Sequence, residues 1–201
     1  MRVLLLTGLV LMIVGSVSWA QTTPDATGAA VAKLEEAPPD PAAAIAQLEA
    51  SVPPAAEADV RSIDAIMRAI YDVISGPAGD RDWNRFKSLM LPNGRLTSSI
   101  VDEYGKHVVV QWSVDEFISQ TQPLFTTQPF YEGALINRVQ RFGNIAQVFT
   151  SYASRSEPSG KPFQRGINSM QLMYDGKRWW VLSILWDIER PGNALPKVMQ
   201  H

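Results

Sequence analysis

Apolar residues recur at helical spacing in two segments of this chain, and a capping signal marks a third helix. In residues 59–74 they fall three or four positions apart, which predicts an amphipathic helix that ends before a Gly-Pro pair. A shorter helix is predicted over 82–91. Ser113 followed by Glu116 forms a capping box, which predicts a third helix starting there and ending near Pro123.

The rest of the C-terminal half alternates between apolar and polar positions, as half-buried strands do. Gly143-Asn144 and Asp175-Gly176 are dipeptides typical of tight hairpin turns. The segments predicted to form strands are 96–111, 130–142, 144–157, 166–174 and 178–189. Helices combined with a run of consecutive strands predict an α+β domain, with the helices on one face of an antiparallel sheet.

The first 58 residues lack this patterning. Residues 1–20 hold one basic residue and an apolar run that ends in Ser-Trp-Ala, which predicts a secretory signal cleaved after Ala20. The alternative is a retained membrane anchor, although the run is short for a spanning helix. Residues 21–58 are rich in Ala and Pro without an aromatic residue, which predicts a disordered spacer.

One folded domain is therefore expected over residues 59–201, with a tail from about residue 191. Cleavage near Ala20 would make the protein periplasmic or secreted, and it would meet a membrane only during export. The alternative of a retained anchor stays open at this point.

Composition excludes several classes of function. The chain has no cysteine, so thiolate zinc sites, disulfides and cysteine nucleophiles are excluded. Its two histidines, His107 and His201, do not provide a metal site with several histidines. The formal net charge of −2 gives no basic field for nucleic acid, and no phosphate loop, dinucleotide fingerprint or serine-nucleophile motif is present. We expect no metal, no cofactor and no nucleic-acid partner.

The order of elements and three stretches carry a resemblance to a known family. The stretches are the opening helix through Tyr71, DRDWNRFKSLMLPNGRL (residues 80–96) and YDGKRWWVLSILW (residues 174–186). Together they resemble the nuclear transport factor 2-like superfamily, which includes SnoaL-like and ketosteroid-isomerase-like proteins. The resemblance implies a cone-shaped curved sheet of cystatin-like topology around about three helices, often with a deep pocket and a dimer interface on the outer sheet face.

The resemblance also implies that some members are isomerases, cyclases, dehydratases or epoxide hydrolases, while others only bind. Ketosteroid-isomerase-like sites combine a helix tyrosine with two acids, one on the first strand pair and one on a late strand. Tyr71 matches the tyrosine, but neutral residues occupy both acid positions: Leu96 to Ser99, and Asn168 with Ser169. Because a general base must titrate, we expect a non-catalytic small-molecule-binding or protein-interaction domain.

A ligand site and an alternative enzyme follow from the strand faces. A two-residue turn at Asp175-Gly176 would set Asn168 opposite Ser183, with Asp187 further along the same face, whereas a bulged turn would shift this register. The predicted ligand-binding residues are Tyr71, Trp83, Met90, Asn168, Trp179, Ser183 and Asp187. The competing interpretation is that the polar residues satisfy each other across strands. The alternative function is a lyase, isomerase or hydrolase with Asp187 as base and Tyr71 as proton donor, acting on a small apolar substrate.

The opposite face of the last predicted strand is apolar as well. A strand apolar on both faces must be covered on both, and a second subunit is the simplest cover for the outer one. The residues predicted for this homodimer interface are Trp180, Leu182, Ile184 and Trp186.

Charged residues on the strands give two further hypotheses. A two-residue turn at Gly143-Asn144 would set Glu132 opposite Arg155 as a cross-strand ion pair. Three strand arginines form either an anion-binding patch or ordinary solvated positions. They are Arg138, Arg141 and Arg165.

Overall fold

The computed structural model describes residues 40–102 and 104–200, and its compact unit begins at Pro41. The helices are α1 (Pro41–Ala50), α2 (Glu57–Val60), α3 (Ile63–Ile74), α4 (Trp83–Leu89) and α5 (Val114–Thr127). Helix α1 lies within the segment that the sequence assigns to the spacer, and α2 crosses the predicted boundary between spacer and domain at residues 58 and 59. The predicted signal and the first half of the predicted spacer, residues 21–39, lie outside the described residues.

The first predicted helix is divided by Ser62, which caps α3. The Ser62 hydroxyl accepts a hydrogen bond from the backbone N–H of Ala65 (3.1 Å), and this satisfies a free donor of the first turn. The capping box of α5 is confirmed, because Ser113 and Glu116 bond to each other's backbone N–H. The predicted end of this helix is wrong, since α5 continues through Pro123 to Thr127.

Arg85 joins the short helices to α3. Its guanidinium donates to both carboxylate oxygens of Asp59 (2.8 and 3.0 Å) and to Asp72 (2.6 Å). The bonds from Arg85 hold the pKa of Asp59 below its ordinary value. The side chain therefore fixes α4 against α2 and α3 from one point.

The strands form one six-stranded sheet in the order β2-β1-β6-β5-β4-β3. They are β1 (Met90–Val101), β2 (His107–Ser113), β3 (Tyr131–Phe142), β4 (Ile145–Arg155), β5 (Gln164–Tyr174) and β6 (Trp179–Ile188). The α+β class is confirmed, but the sheet is mixed, because β1 runs parallel to β6 while every other pair is antiparallel. The sequence placed consecutive strands side by side and did not predict this pairing.

The hairpin at Gly143-Asn144 has the predicted two-residue turn, with Phe142 opposite Ile145. A register shift between Ala134 and Ile136 moves the pairing of the first residues of β3 by one position. Glu132 consequently lies opposite Ser154, so the predicted ion pair with Arg155 is wrong.

The hairpin between β5 and β6 differs more from the sequence prediction than the hairpin between β3 and β4 does. Its turn has four residues, because Tyr174 pairs with Trp179. A register shift follows, because Leu172 pairs with Val181 but Gln171 pairs with Ser183, which leaves Leu182 without a partner. The predicted pairing of Asn168 with Ser183 is therefore wrong, and Asn168 pairs with Trp186. An extra residue in one strand reverses the faces of all later side chains.

This irregularity at Leu182 divides β6 into two halves. Before it, Trp179 and Val181 belong to the core, as alternation predicts; after it, Ile184 and Trp186 also face the helices. Leu182 and Leu185 are left on the outer face, exposed. The predicted outer position of Ile184 and Trp186 is wrong for this reason.

The core lies between α3, α4 and α5 and the inner face of the sheet. Its buried members come from all three helices and from four of the six strands, β1, β4, β5 and β6. Aromatic rings connect the layers: Phe117 of α5 stacks on Phe86 (ring centroids 5.6 Å apart) and meets Trp186 edge-on, and Trp186 stacks on Trp112 (5.7 Å). Trp186 thus joins the last strand to α5 and to β2 through aromatic contacts.

The C-terminal tail lies on the outer face of the sheet. It starts at a turn in which Arg190 and Asn193 exchange backbone hydrogen bonds, and it ends in a 3-10 turn, Lys197–Met199. Leu195 and Met199 are buried, and the Val198 carbonyl accepts a hydrogen bond from Arg138 on β3. The tail therefore runs from β6 across the sheet and covers part of the face that the sequence assigned to a second subunit.

Gly166 on β5 permits a close approach that a side chain would prevent. A Cβ there would lie 2.5 Å from the Tyr152 hydroxyl and against the Asp187 carbonyl, whereas a Cβ at Gly133 on β3 would meet nothing within 4 Å. We expect Gly166→Ala to lower the free energy of unfolding by about 1–3 kcal/mol, because the strands must shift. Gly133→Ala is the matched control, expected within about 0.5 kcal/mol of the wild type. Urea denaturation measures both, and equal effects would contradict the close approach.

Candidate functional site

A buried hydrogen-bonded cluster centres on Tyr71. Its hydroxyl accepts a hydrogen bond from the Asn168 side-chain amide (3.0 Å) and bonds to the Thr150 hydroxyl (3.3 Å). Thr150 and Asn168 are register partners on β4 and β5, and both point inward. Tyr71 reaches them from the buried face of α3. The sequence therefore correctly brought Tyr71 and Asn168 together, although by an incorrect strand register.

Glu132 forms a second part of the interior. Its carboxylate accepts a hydrogen bond from the Ser154 hydroxyl (2.6 Å). Its backbone is held by Ser75, whose hydroxyl accepts from the Glu132 N–H (2.9 Å) and donates to the Glu132 carbonyl (3.1 Å). The end of α3 and the start of β3 thus fix this carboxyl group.

Burial raises the pKa of Glu132 to about 7, because the charged form loses its hydration. Burial also raises the pKa of the Tyr71 and Tyr152 phenols, and the carboxylate of Glu132 raises both further. Tyr152 accepts a hydrogen bond from Gln164 (3.3 Å). The interior therefore holds one carboxyl group with a near-neutral pKa, close to two phenols that remain protonated.

The interior polar groups are largely paired with one another. In residues 40–102 and 104–200, the buried side-chain nitrogen or oxygen atom without a hydrogen-bond partner is Nε1 of Trp83. A paired network of this kind stabilises one arrangement of strands, since breaking any bond leaves a buried polar group unsatisfied. The cluster therefore has a structural role that is complete without a ligand.

The predicted ligand-binding residues separate into two groups. Tyr71, Met90 and Trp179 lie in the core, and Trp83 packs against it. Asn168 bonds to Tyr71. The remaining two, Ser183 and Asp187, lie on the outer face, which corrects their predicted position.

Asp187 faces away from the interior, and its carboxylate is bound to neighbouring side chains on the outer face. Its carboxylate binds Arg190 (2.5 Å) and accepts a hydrogen bond from Asn193 (3.2 Å). Ser183 donates to the Gln171 side chain on the same outer face (3.2 Å). The sheet therefore separates Asp187 from Tyr71, and the alternative acid–base pair is not assembled.

Trp180 and Leu182 also differ from their expected surroundings. Trp180 points to the outer face, as predicted, but it is fully buried. Its ring N–H donates to Asp175 (2.6 Å), and the Arg178 guanidinium lies 3.7 Å above the ring. Of the four residues predicted for a dimer interface, Leu182 is thus the outward-facing, exposed one.

Sequence reasoning missed Glu132 as an interior residue. It is the acid within the predicted strand 130–142, where it follows two aromatic residues and precedes Gly133. A lone acid beside aromatic residues was the available signal. The bulge near Ala134, which turns it inward, has no clear mark in the sequence.

The three strand arginines do not gather into one patch. Arg165 pairs with Glu189 (2.7 Å), and Arg138 bonds to the Val198 carbonyl (3.4 Å). Arg141 lies over the ring of Trp179, 5.0 Å from its centroid. Within the described part of the chain, no group of three or more His, Asp or Glu side chains could hold a metal ion.

The outer face carries two separate concave regions. The first, named here the hairpin-end patch, contains the exposed apolar residues Phe142, Ile145 and Leu182 and a polar row; the row comprises Gln140, Gln147 and Gln171. The second, named here the tail cleft, lies between the tail and the middle of the sheet; it is lined mainly by Phe149, Ile167, Leu185, Ala194, Leu195 and Pro196.

Comparison with protein-family models and with curated proteins gives no match. Solved structures do match. A cystatin-like protein of unknown function from Nostoc punctiforme is 8% identical, covers 63% of this chain and 88% of its own, and has a TM-score of 0.49. A nuclear transport factor 2-like protein of unknown function from Silicibacter pomeroyi is 13% identical, with 64% and 94% coverage and a TM-score of 0.43.

A third match is an uncharacterised protein with a cystatin-like fold from Caulobacter vibrioides. It is 14% identical, covers 66% of this chain and 90% of its own, and has a TM-score of 0.46. These names agree with the fold resemblance in the sequence. At such identities and scores the matches carry no argument about function.

No helix in the described ranges is long and apolar enough to cross a membrane.

The raised pKa of Glu132 has a measurable consequence. The unfolded chain releases this proton near 4.5, and the folded chain near 7. Between these values folding retains a proton that the unfolded chain has lost, so stability falls as pH rises. We expect the wild type to lose up to about 3 kcal/mol relative to Glu132→Gln between about pH 4.5 and 7.

Urea denaturation of both proteins across this pH range measures the difference. Other titrating groups are common to both and cancel in the comparison. Parallel stability profiles would show that Glu132 titrates normally and would contradict its burial.

Proposed function

We propose that this protein is an exported, non-catalytic interaction domain that self-associates through the hairpin-end patch. The observation that carries the proposal is the exposure of Phe142 and Ile145, 83% and 61%, on a sheet face that also presents Leu182. Soluble monomers rarely leave adjacent large apolar side chains uncovered, and such patches mark interaction sites.

A second copy of the same chain is the partner that this surface fits. A two-fold interface places a patch against itself, so its groups must be self-complementary. Side-chain amides both donate and accept, and the row of Gln140, Gln147 and Gln171 can therefore pair with the same row of another copy. A row of one charge would repel itself, whereas this row carries none.

The interior supports the non-catalytic part of the proposal. Tyr71 is bonded to two neighbours, and the Asp187 carboxylate is bound on the opposite face of the sheet. A general base must reach the proton it removes, and Asp187 cannot reach a substrate beside Tyr71. The hydrogen-bonded cluster around Tyr71 fixes the strands of the sheet, and the opposite face of that sheet carries the self-association surface.

Glu132 favours a second candidate function, acid–base chemistry in the interior. A carboxyl group with a pKa of about 7 near a protonated phenol has the properties that a general base and acid require. A crystal structure of protein purified from its native host separates the two candidates. Density of a bound molecule beside Glu132 supports chemistry, and side chains in mutual contact support the structural role.

Self-association is tested by changing one exposed ring. We expect the mature chain to be a dimer at about 10 µM, and Phe142→Asp to raise the dissociation constant at least tenfold, about 1.4 kcal/mol, because it buries a charge. Tyr104→Asp is the matched control, since Tyr104 is equally exposed, 84%, in the turn between β1 and β2. Sedimentation velocity measures both. A wild type that stays monomeric at high concentration, or equal dissociation of both variants, would contradict the interface.

Export is tested with the intact leader. We expect expression in a bacterial host to give a periplasmic protein that begins at Gln21, because small residues precede the predicted cleavage point. Ala20→Arg should block cleavage, and Asp25→Arg, four residues beyond Gln21, should not. Mass spectrometry of the purified chains gives the N-terminus. A wild type that keeps residues 1–20 in the membrane fraction would instead support the anchor.

A further inference from the structure

The tail cleft has a volume of about 380 Å³, within the range in which proteins hold small organic molecules. Its floor is the outer face of the sheet, where Phe149 and Leu185 are only partly covered. One wall is the tail, through Ala194, Leu195 and Pro196. Carbon atoms of these side chains therefore form most of the lining of an open cleft.

The tail wall is held in place by several contacts. The Leu195 side chain is buried, and its backbone N–H donates to Glu189 (3.1 Å). Further along, Met199 is buried and the Val198 carbonyl is bonded by Arg138. A wall anchored at both ends makes the cleft largely preformed, which lowers the cost of ordering it around a ligand.

The charges at the rim of the cleft are already neutralised. Asp187 pairs with Arg190, and Glu189 pairs with Arg165 through two hydrogen bonds (2.7 and 3.1 Å). A charged ligand would have to compete with these partners, and an anion would also approach two carboxylates. The electrostatics of the cleft therefore favour a neutral ligand.

A few uncharged polar groups remain. The Ser169 hydroxyl accepts a hydrogen bond from Gln147 (3.2 Å), and this bond does not use the Ser169 hydroxyl proton. Ser99 is a second serine in the lining. Each hydroxyl can donate or accept. The cleft thus offers one or two neutral hydrogen bonds within an apolar surface.

We propose that the tail cleft binds a small, neutral, largely apolar molecule that carries one or two polar atoms. Its floor residues Phe149, Ile167 and Leu185 differ from those of the hairpin-end patch. The inference goes beyond the proposed self-association and does not depend on it. It also places the ligand on the opposite face of the sheet from the interior that the sequence suggested.

Two probes that differ by one charge test the proposal. N-phenyl-1-naphthylamine is neutral, and 8-anilinonaphthalene-1-sulfonate is the same ring system with a sulfonate. In fluorescence titrations of the full mature chain, we expect saturable binding of the neutral probe and at least tenfold weaker binding of the sulfonate. Absence of saturable binding, or equal affinities for the two probes, would overturn the proposal.

Variants locate the bound probe. Leu185→Asp places a charge in the cleft floor and should weaken binding of the neutral probe at least tenfold. Phe142→Asp makes the same kind of change in the hairpin-end patch and should alter the affinity less than twofold. Leu185→Ala removes the floor without a charge and should weaken binding several-fold, which keeps the test valid if the aspartate variant folds poorly. Equal losses in the Leu185→Asp and Phe142→Asp proteins would place the probe elsewhere and overturn the proposal.

The same Phe142→Asp protein distinguishes this inference from self-association. A monomeric variant that still binds the neutral probe supports the cleft whatever the oligomeric state. A dimeric wild type whose probe affinity is unchanged in both Leu185 variants supports self-association and overturns the cleft.

Discussion

Both faces of the sheet take their character from the irregular pairing at Leu182, where β6 contributes an extra residue against β5. The shift turns Ile184 and Trp186 toward the helices, where Trp186 stacks on Trp112 and meets Phe117. It also leaves Leu182 and Leu185 outside. On the neighbouring strand β1, Gly94 permits a close approach within its own strand, since a Cβ there would lie 2.9 Å from the Leu91 carbonyl. The composition of the core and of the outer sheet face therefore depends on one local geometry.

The two faces of the sheet differ in character: the inner face carries a hydrogen-bonded network, and the outer face carries exposed apolar residues. Inside, Tyr71, Asn168 and Thr150 satisfy one another, and Glu132 is held by Ser154 and Ser75. Such a network specifies strand register, because a slipped strand would bury unpaired polar groups. Outside, the apolar residues have no such partners on the hairpin-end patch. The surface proposed for self-association is thus on the face with fewer side-chain hydrogen bonds.

The tail changes what the outer face offers. Ser151 and Ala153 of β4 point outward by alternation yet are fully buried, and the tail with its buried Leu195 and Met199 lies on this face. The chain covers one end of the face itself and leaves the hairpin end open. The proposed self-association surface and the proposed ligand cleft therefore lie in adjacent regions with different main contact residues.

The sequence by itself determined the elements that depend on local signals. The capping box at Ser113, the turn at Gly143-Asn144 and the periodicity of α3 each follow from residues close together in the chain, because caps and turns are short-range interactions. The inward position of Tyr71 was also predictable, since it lies on the apolar face of α3, and so was that of Trp179, which precedes the shift at Leu182 in β6.

Only the tertiary structure decided the sites. The parallel pairing of β1 with β6 joins segments some ninety residues apart, and the shifts near Ala134 and Leu182 turn Glu132 inward and Asp187 outward. A single extra residue reverses every later side chain in a strand of period two. The shift at Leu182 turns Trp186 onto Trp112 of β2 and Phe117 of α5, and these contacts between distant segments do not exist until the chain has folded.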